Sequence, residues 1–236
     1  MSDSHLQTIR RELRAHVEPA YRDGATRFFK EEVNVLGVRT PTVRKIASKA
    51  FPSFRKKTWK EQHELCEELL ASGVMEESTI ALEWMSRIVK NLDETAFITL
   101  ERWLKQFVSN WATCDDLCTH VIGPFLVAHP SCAKKVFGWT SSKNRWIRRA
   151  SAVSLITPVR HRVMLDQIFR TADRLLEDED DMVRKGYGWM LKVAGDVFFN
   201  EAFAYVMAHR DRMPRVSLRY AIEKYPPVAK QRAMMP

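Results

Sequence analysis

Ile147-Arg148-Arg149-Ala150-Ser151-Ala152 and Val183-Arg184-Lys185-Gly186-Tyr187-Gly188 resemble one another at an offset of 36 residues (147 to 183), and Arg219, in Ser217-Leu218-Arg219-Tyr220-Ala221, recurs 34 residues after Lys185 (185 to 219). A period of this size carried by helix pairs predicts a HEAT-like α-solenoid. One amphipathic pair cannot bury its apolar face alone, whereas stacked antiparallel pairs share a core and leave a curved outer surface. The expected fold class is therefore all-α, an α-solenoid with a concave basic groove, forming a single helical-repeat domain over 1–236.

The rest of the chain agrees with that reading. Only 8 Gly and 10 Pro interrupt 236 residues that are 45% hydrophobic, which favours helices and is ample for a core. Apolar residues recur at i, i+3 and i+4: Leu6, Ile9, Leu13 and Val17 make one stripe, and Ile80, Trp84, Ile88 and Val89 another. Thr40-Pro41 reads as an N-cap followed by Pro at the first helical position, and Thr58, Pro130 and Pro214 read as comparable starts. Helices are predicted over 4–18, 21–31, 41–51, 58–71, 76–91, 94–108, 113–128, 131–138, 144–156, 161–177, 181–196, 199–209 and 214–224.

Thirty-eight Lys and Arg against 29 Asp and Glu leave a formal charge of +9, which points to a polyanionic partner. If Arg149, Lys185 and Arg219 are equivalent on successive helices, they form a row of cations able to track a phosphate backbone. No secretory pattern and no apolar run of about 20 residues is visible, so a cytoplasmic, nucleoid-associated monomer without a membrane partner is expected. Cys66, Cys114, Cys118 and Cys132 form no C-x-x-C pair and are expected to be reduced. Cys114, Cys118 and His120 lie close enough to suggest a metal, but small apolar residues at helical spacing belong to a core, and no metal is expected.

Asn110-Trp111-Ala112-Thr113-Cys114-Asp115-Asp116 is the most informative segment for chemistry. Thr113 and Asp116 fit a capping box, which gives Asp116 a structural task and puts Asp115 in the first turn, where the helix dipole favours its ionised form. With a start near Thr113, Trp111 and Asp115 need not share a helical face. Trp59, Trp84, Trp103 and Trp139 read as core. Trp146 and Trp189 stand in the two repeat-related segments, and the glycines before Trp189 imply close approach by a helix or a ligand.

Leu36-Gly37-Val38-Arg39-Thr40-Pro41, Trp111-x-x-x-Asp115, Trp146-x-x-Arg149 and Lys185-x-x-x-Trp189 resemble, in order and spacing, the HEAT-like alkylpurine DNA glycosylases of the AlkD type, over roughly residues 5 to 225. The resemblance implies a solenoid that cradles duplex DNA and hydrolyses the N-glycosidic bond of 3- or 7-alkylated purines, without cofactor. It implies Asp115 as the catalytic carboxylate, Trp111 and Trp189 as aromatic walls around the lesion, and Arg149, or its neighbour Arg148, as a contact to the backbone. Lys185 and Arg219 would hold phosphates. Phe28 stands at about the place of an N-terminal aromatic of that family, where a tyrosine would supply a hydroxyl that this chain lacks.

Such a site is chemically sufficient. An N3- or N7-alkylpurine is already cationic and departs as a neutral base, so one carboxylate to steady an oxocarbenium-like sugar and position water replaces the usual pair. A non-catalytic helical-repeat protein that binds DNA or RNA structure and a protein–protein scaffold are the rival readings. No P-loop, Ser/His/Asp order or zinc-deaminase signature supports another enzyme class.

Overall fold

The structure, a computed structural model, describes residues 2–235 and the side chains of 5–235. Among these the chain is helical throughout, with no β-strand and one isolated bridge between Asn34 and Val74. It divides into two compact units, Met1–Val121 and Ile122–Pro236.

The first unit contains α1 (Ser2–Arg14), α2 (Pro19–Thr26), α3 (Thr40–Arg55), α4 (Trp59–Ala71), α5 (Met75–Ile88), α6 (Phe97–Phe107) and α7 (Trp111–Leu117). Leu6, Ile9 and Leu13 are buried at i, i+3 and i+7, as their spacing predicts, but α1 stops at Arg14 and leaves Val17 in the link to Pro19. Helix α5 packs on α3, α4 and α7. Its buried stripe of Ile80, Trp84 and Ile88 faces them, with Val89 passing into a 3₁₀ turn, Val89–Asn91. Trp84 donates its indole N–H to the Ala47 carbonyl at 2.8 Å and Trp103 to the Glu67 carboxylate at 2.7 Å, so both large side chains are buried with their one donor satisfied.

Helix starts follow capping chemistry. Thr58 makes a complete capping box with Glu61. Thr40 is the first residue of α3 rather than its cap, which is Arg39, so Pro41 moves one place inward. Trp59, expected in the core, is 38% exposed because it opens α4 directly after the Thr58 cap.

The second unit contains α8 (Gly123–Ala128), α9 (Ala133–Gly138), α10 (Arg145–Val153), α11 (Ile156–Arg160), α12 (Leu165–Leu175), α13 (Asp181–Val197), α14 (Phe199–His209), α15 (Arg215–Ala221) and α16 (Pro227–Met234). Helix α13 is its axis, touching α10, α11, α12, α14 and α15. Pro130 opens a 3₁₀ turn ahead of α9, and Pro214 is the N-cap of α15. Helix α11, apart from Ile156, and helix α16 lie outside the predicted spans: the first is only five residues and the second begins at one of two adjacent prolines. The continuous helix expected over 113–128 is interrupted by π-helix at Cys118–Ile122. No described helix is long and apolar enough to cross a membrane.

The glycines of α13 are explained by packing. A Cβ on Gly188 would lie 2.8 Å from the Tyr220 Cβ and 2.9 Å from the Ser217 carbonyl oxygen, and one on Gly186 would lie 3.1 Å from the Arg149 Cγ. Gly186 thus lets α10 approach and Gly188 lets α15 approach, so it is neighbouring helices and not a ligand that requires them.

Candidate active site

Asn110 accepts the Thr113 backbone N–H on its side-chain oxygen at 2.9 Å, so the cap lies three residues before the predicted one and α7 begins at Trp111. The Thr113–Asp116 capping box does not form. Thr113 is buried with its hydroxyl 3.6 Å from the Met75 sulfur, and Asp116 instead accepts from His120 Nδ1 at 2.8 Å, one turn along. Asp115 lies in the second turn, which removes the dipole argument for its ionisation. The same shift places Trp111 and Asp115 four residues apart inside one helix, hence on one face, where the predicted start had separated them.

Trp111 stacks on Phe29, with ring centroids 5.3 Å apart and planes 17° from parallel. Phe28, the predicted aromatic, is 78% exposed beside it. Both phenylalanines, Trp111, Tyr21, Arg27 and Arg39 line a cavity of about 830 Å³, within the range of ligand pockets. Arg39 lies over the Tyr21 ring at 5.0 Å and pairs with Glu18 at 2.9 Å. The Leu36–Pro41 stretch builds one wall. Backbone N–H groups of Leu36, Gly37 and Val38 converge on the buried Glu76 carboxylate at 3.0, 2.8 and 3.0 Å. Gly37 takes φ +99°, and a Cβ there would meet the Arg22 Cβ at 2.7 Å. That motif is therefore a scaffold for the aromatic cavity.

The second unit holds the remaining predicted residues. Arg149 is buried at 6% exposure, its Cγ against Gly186 and its Nη1 donating to the Met182 carbonyl. Arg148 is bidentate on Asp178, at 2.6 and 3.2 Å, and also donates to the Ser142 carbonyl at 2.9 Å. Lys185 pairs with Asp181 at 2.7 Å, Trp189 is half-buried, and Arg219 is exposed. The expected row of three equivalent surface cations is therefore not realised: the closeness that Gly186 permits takes Arg149 into the α10–α13 contact. Cys66, Cys114, Cys118 and Cys132 are all buried thiols, and burial raises the Cys66 pKa far above the ordinary thiol value. No metal-binding cluster of His, Cys, Asp or Glu occurs among the described residues.

Residues 9–225 match the family described as DNA alkylation repair enzyme. The chain belongs to this family. A solved structure described as a predicted DNA alkylation repair enzyme from Enterococcus faecalis is similar in fold, with a TM-score of 0.80 over 90% of this chain and 98% of that one, at 12% sequence identity. No curated protein matches the sequence. The family assigns the protein to DNA alkylation repair, and the all-α helical-repeat fold agrees with the structural match. Within this repair protein, Phe29 is the contact that sequence reasoning missed. Its only signal was adjacency to Phe28, since neither period nor motif distinguishes two consecutive aromatics.

Proposed function

We propose that the protein is a monofunctional DNA glycosylase that hydrolyses the N-glycosidic bond of cationic N3- or N7-alkylated purines in duplex DNA. One observation carries the reading: Trp111, which walls the aromatic cavity, and Asp115 project from the same face of α7. The indole attracts the cationic purine face, worth ~0.5–2 kcal/mol when partly desolvated. The Asp115 carboxylate stabilises the positive charge that develops on the sugar as the C1′–N bond breaks. The bonding electrons leave with the purine and neutralise its charge. Water adds to C1′, and its proton passes by way of the carboxylate to solvent. No metal, cofactor or leaving-group acid is required, because the leaving group is already activated.

In this reading Lys185 and Arg219, both on the second unit, hold phosphates of the DNA backbone. Incubation with methylated duplex DNA and chromatography of the free bases tests it. Release of 3- or 7-methylpurine is expected; intact methylated DNA after prolonged incubation with excess protein would overturn the catalytic reading and leave a DNA-binding repair protein.

A further inference from the structure

A second cavity, about 440 Å³, lies at the far ends of α3 and α5, lined by Phe51, Arg55, Trp59, Gln62, Arg87 and Asn91 among others. The first cavity is lined by the opening residues of those same helices. At 1.5 Å per residue the 16-residue α3 separates the two by roughly 20 Å. The second cavity is not part of the site already described.

Its chemistry is distinctive. Arg55-Lys56-Lys57-Thr58-Trp59-Lys60 carries four cations before the first acid, Glu61, and that carboxylate is held by the Thr58 hydroxyl and backbone N–H at 2.8 and 2.9 Å. Arg87 is paired with Glu83 at 2.7 Å and lies 4.9 Å over the Phe51 ring. Lys60 reaches only 4.0 Å from Glu64. Arg55, Lys56, Lys57 and Lys90 have no carboxylate within ion-pair distance among the described residues, and Arg55, Lys56 and Lys90 are exposed. Trp59, which shares the cavity lining with Arg55 and Arg87, presents an accessible indole whose ring lies 5.8 Å from that of His63. The exposed Asn91 amide adds a donor and an acceptor.

We infer that this surface binds an unpaired segment of nucleic acid, one base stacking on Trp59 within the cavity and the adjoining phosphates lying on Arg55, Lys56, Lys57 and Lys90. Unpartnered cations match a phosphate backbone, and the cavity with its exposed aromatic matches a free base face, which a duplex does not offer. The inference does not rest on the glycosylase reading, because none of these residues lines the Trp111 cavity.

The test is fluorescence anisotropy with a labelled single-stranded oligothymidylate of about twelve nucleotides, within the span of known single-strand site sizes. Trp59→Ala should weaken binding roughly five- to a hundredfold, as loss of one stacked base does, and Trp59→Phe should recover much of it. Lys56→Gln with Lys90→Gln, both at exposed positions, should reduce the salt dependence by about 0.7 per lost phosphate contact. Unchanged affinity in Trp59→Ala, or an unchanged salt slope in the lysine pair, overturns the inference, as does wild-type protein that binds no single strand. Heparin competition that is indifferent to Trp59 would reveal plain polyanion attraction and equally overturn it. Excision of alkylpurine from duplex is scored separately, so failure of one reading leaves the other standing.

Discussion

Phe29 lies flat against Trp111, 5.3 Å between centroids and 17° from parallel, so one face of the indole is already occupied within the first unit. An aromatic pair of this geometry contributes ~0.5–1.5 kcal/mol beyond its buried area. Phe29→Ala should therefore lower stability by ~1–2 kcal/mol and free the indole to rotate. Phe28→Ala, at a largely exposed position, should stay within about 0.5 kcal/mol of wild type. Urea denaturation of the two variants gives the comparison; equal losses would mean that the stacked pair is not the fixed wall described.

The α13 glycines make a second contrast. Gly188→Ala forces a Cβ to 2.8 Å from the Tyr220 Cβ and 2.9 Å from the Ser217 carbonyl. The resulting overpacking should cost ~1–3 kcal/mol despite alanine's better helix propensity. Gly24, inside α2 with nothing within 4 Å of a Cβ, shows the propensity alone. Gly24→Ala should stabilise by ~0.5–1 kcal/mol. Thermal melts that move in the same direction for both would refute the packing account.

Asp116 faces His120, with the more distant Arg44 opposing it. The hydrogen bond to Asp116 raises the His120 pKa above its ordinary 6.5. A histidine whose folded pKa is raised binds its proton more tightly in the native state, so its contribution is fully present below about 6.5 and fades as pH rises through the raised value. Asp116→Asn should therefore lose most stability relative to wild type near pH 6 and approach it well above neutrality. Denaturation midpoints across that range check the sign; a deficit that grows with pH would contradict the pairing.

Much of this was legible because periodicity and caps act locally. The stripes of α1 and α5, the helix start at Thr58 and the burial of Trp84, Trp103 and Trp139 follow from neighbours within a few residues. The α7 start was misread because Asn110 and Thr113 are both good caps, and the choice fell to tertiary placement of Thr113 against Met75. The fate of Arg149 was not readable at all. Its burial depends on Gly186, 37 residues along (149 to 186), accepting its side chain, and a charged residue beside a repeat carries no signal that it faces inward.

That burial changes what salt dependence should report. Arg219 is exposed, whereas Lys185 is already paired with Asp181. If both bind duplex phosphates, Arg219→Ala should reduce the slope of log K against log salt by about 0.9, and Lys185→Ala by less, because Lys185 must first give up Asp181. Arg149→Ala should instead lower thermal stability, since it empties the space over Gly186. Identical slopes for wild type and Arg219→Ala would remove Arg219 from the DNA interface.

The proposed reaction turns on Asp115. It stands one turn after Trp111 on the same helical face, beyond the first turn, so its effect must come from position and charge rather than from the helix dipole. Asp115→Asn keeps the shape and removes the charge. Excision should fall ~10²-fold or more, as when a preorganised electrostatic group is lost, while duplex affinity holds or rises as carboxylate–phosphate repulsion is relieved. Asp116→Asn, next in sequence but turned towards His120, should keep excision near wild type and show only the pH-dependent stability loss. Single-turnover excision on both variants, with thermal melts beside them, separates the two carboxylates; an Asp115→Asn variant that releases alkylpurine at the wild-type rate sinks the mechanism.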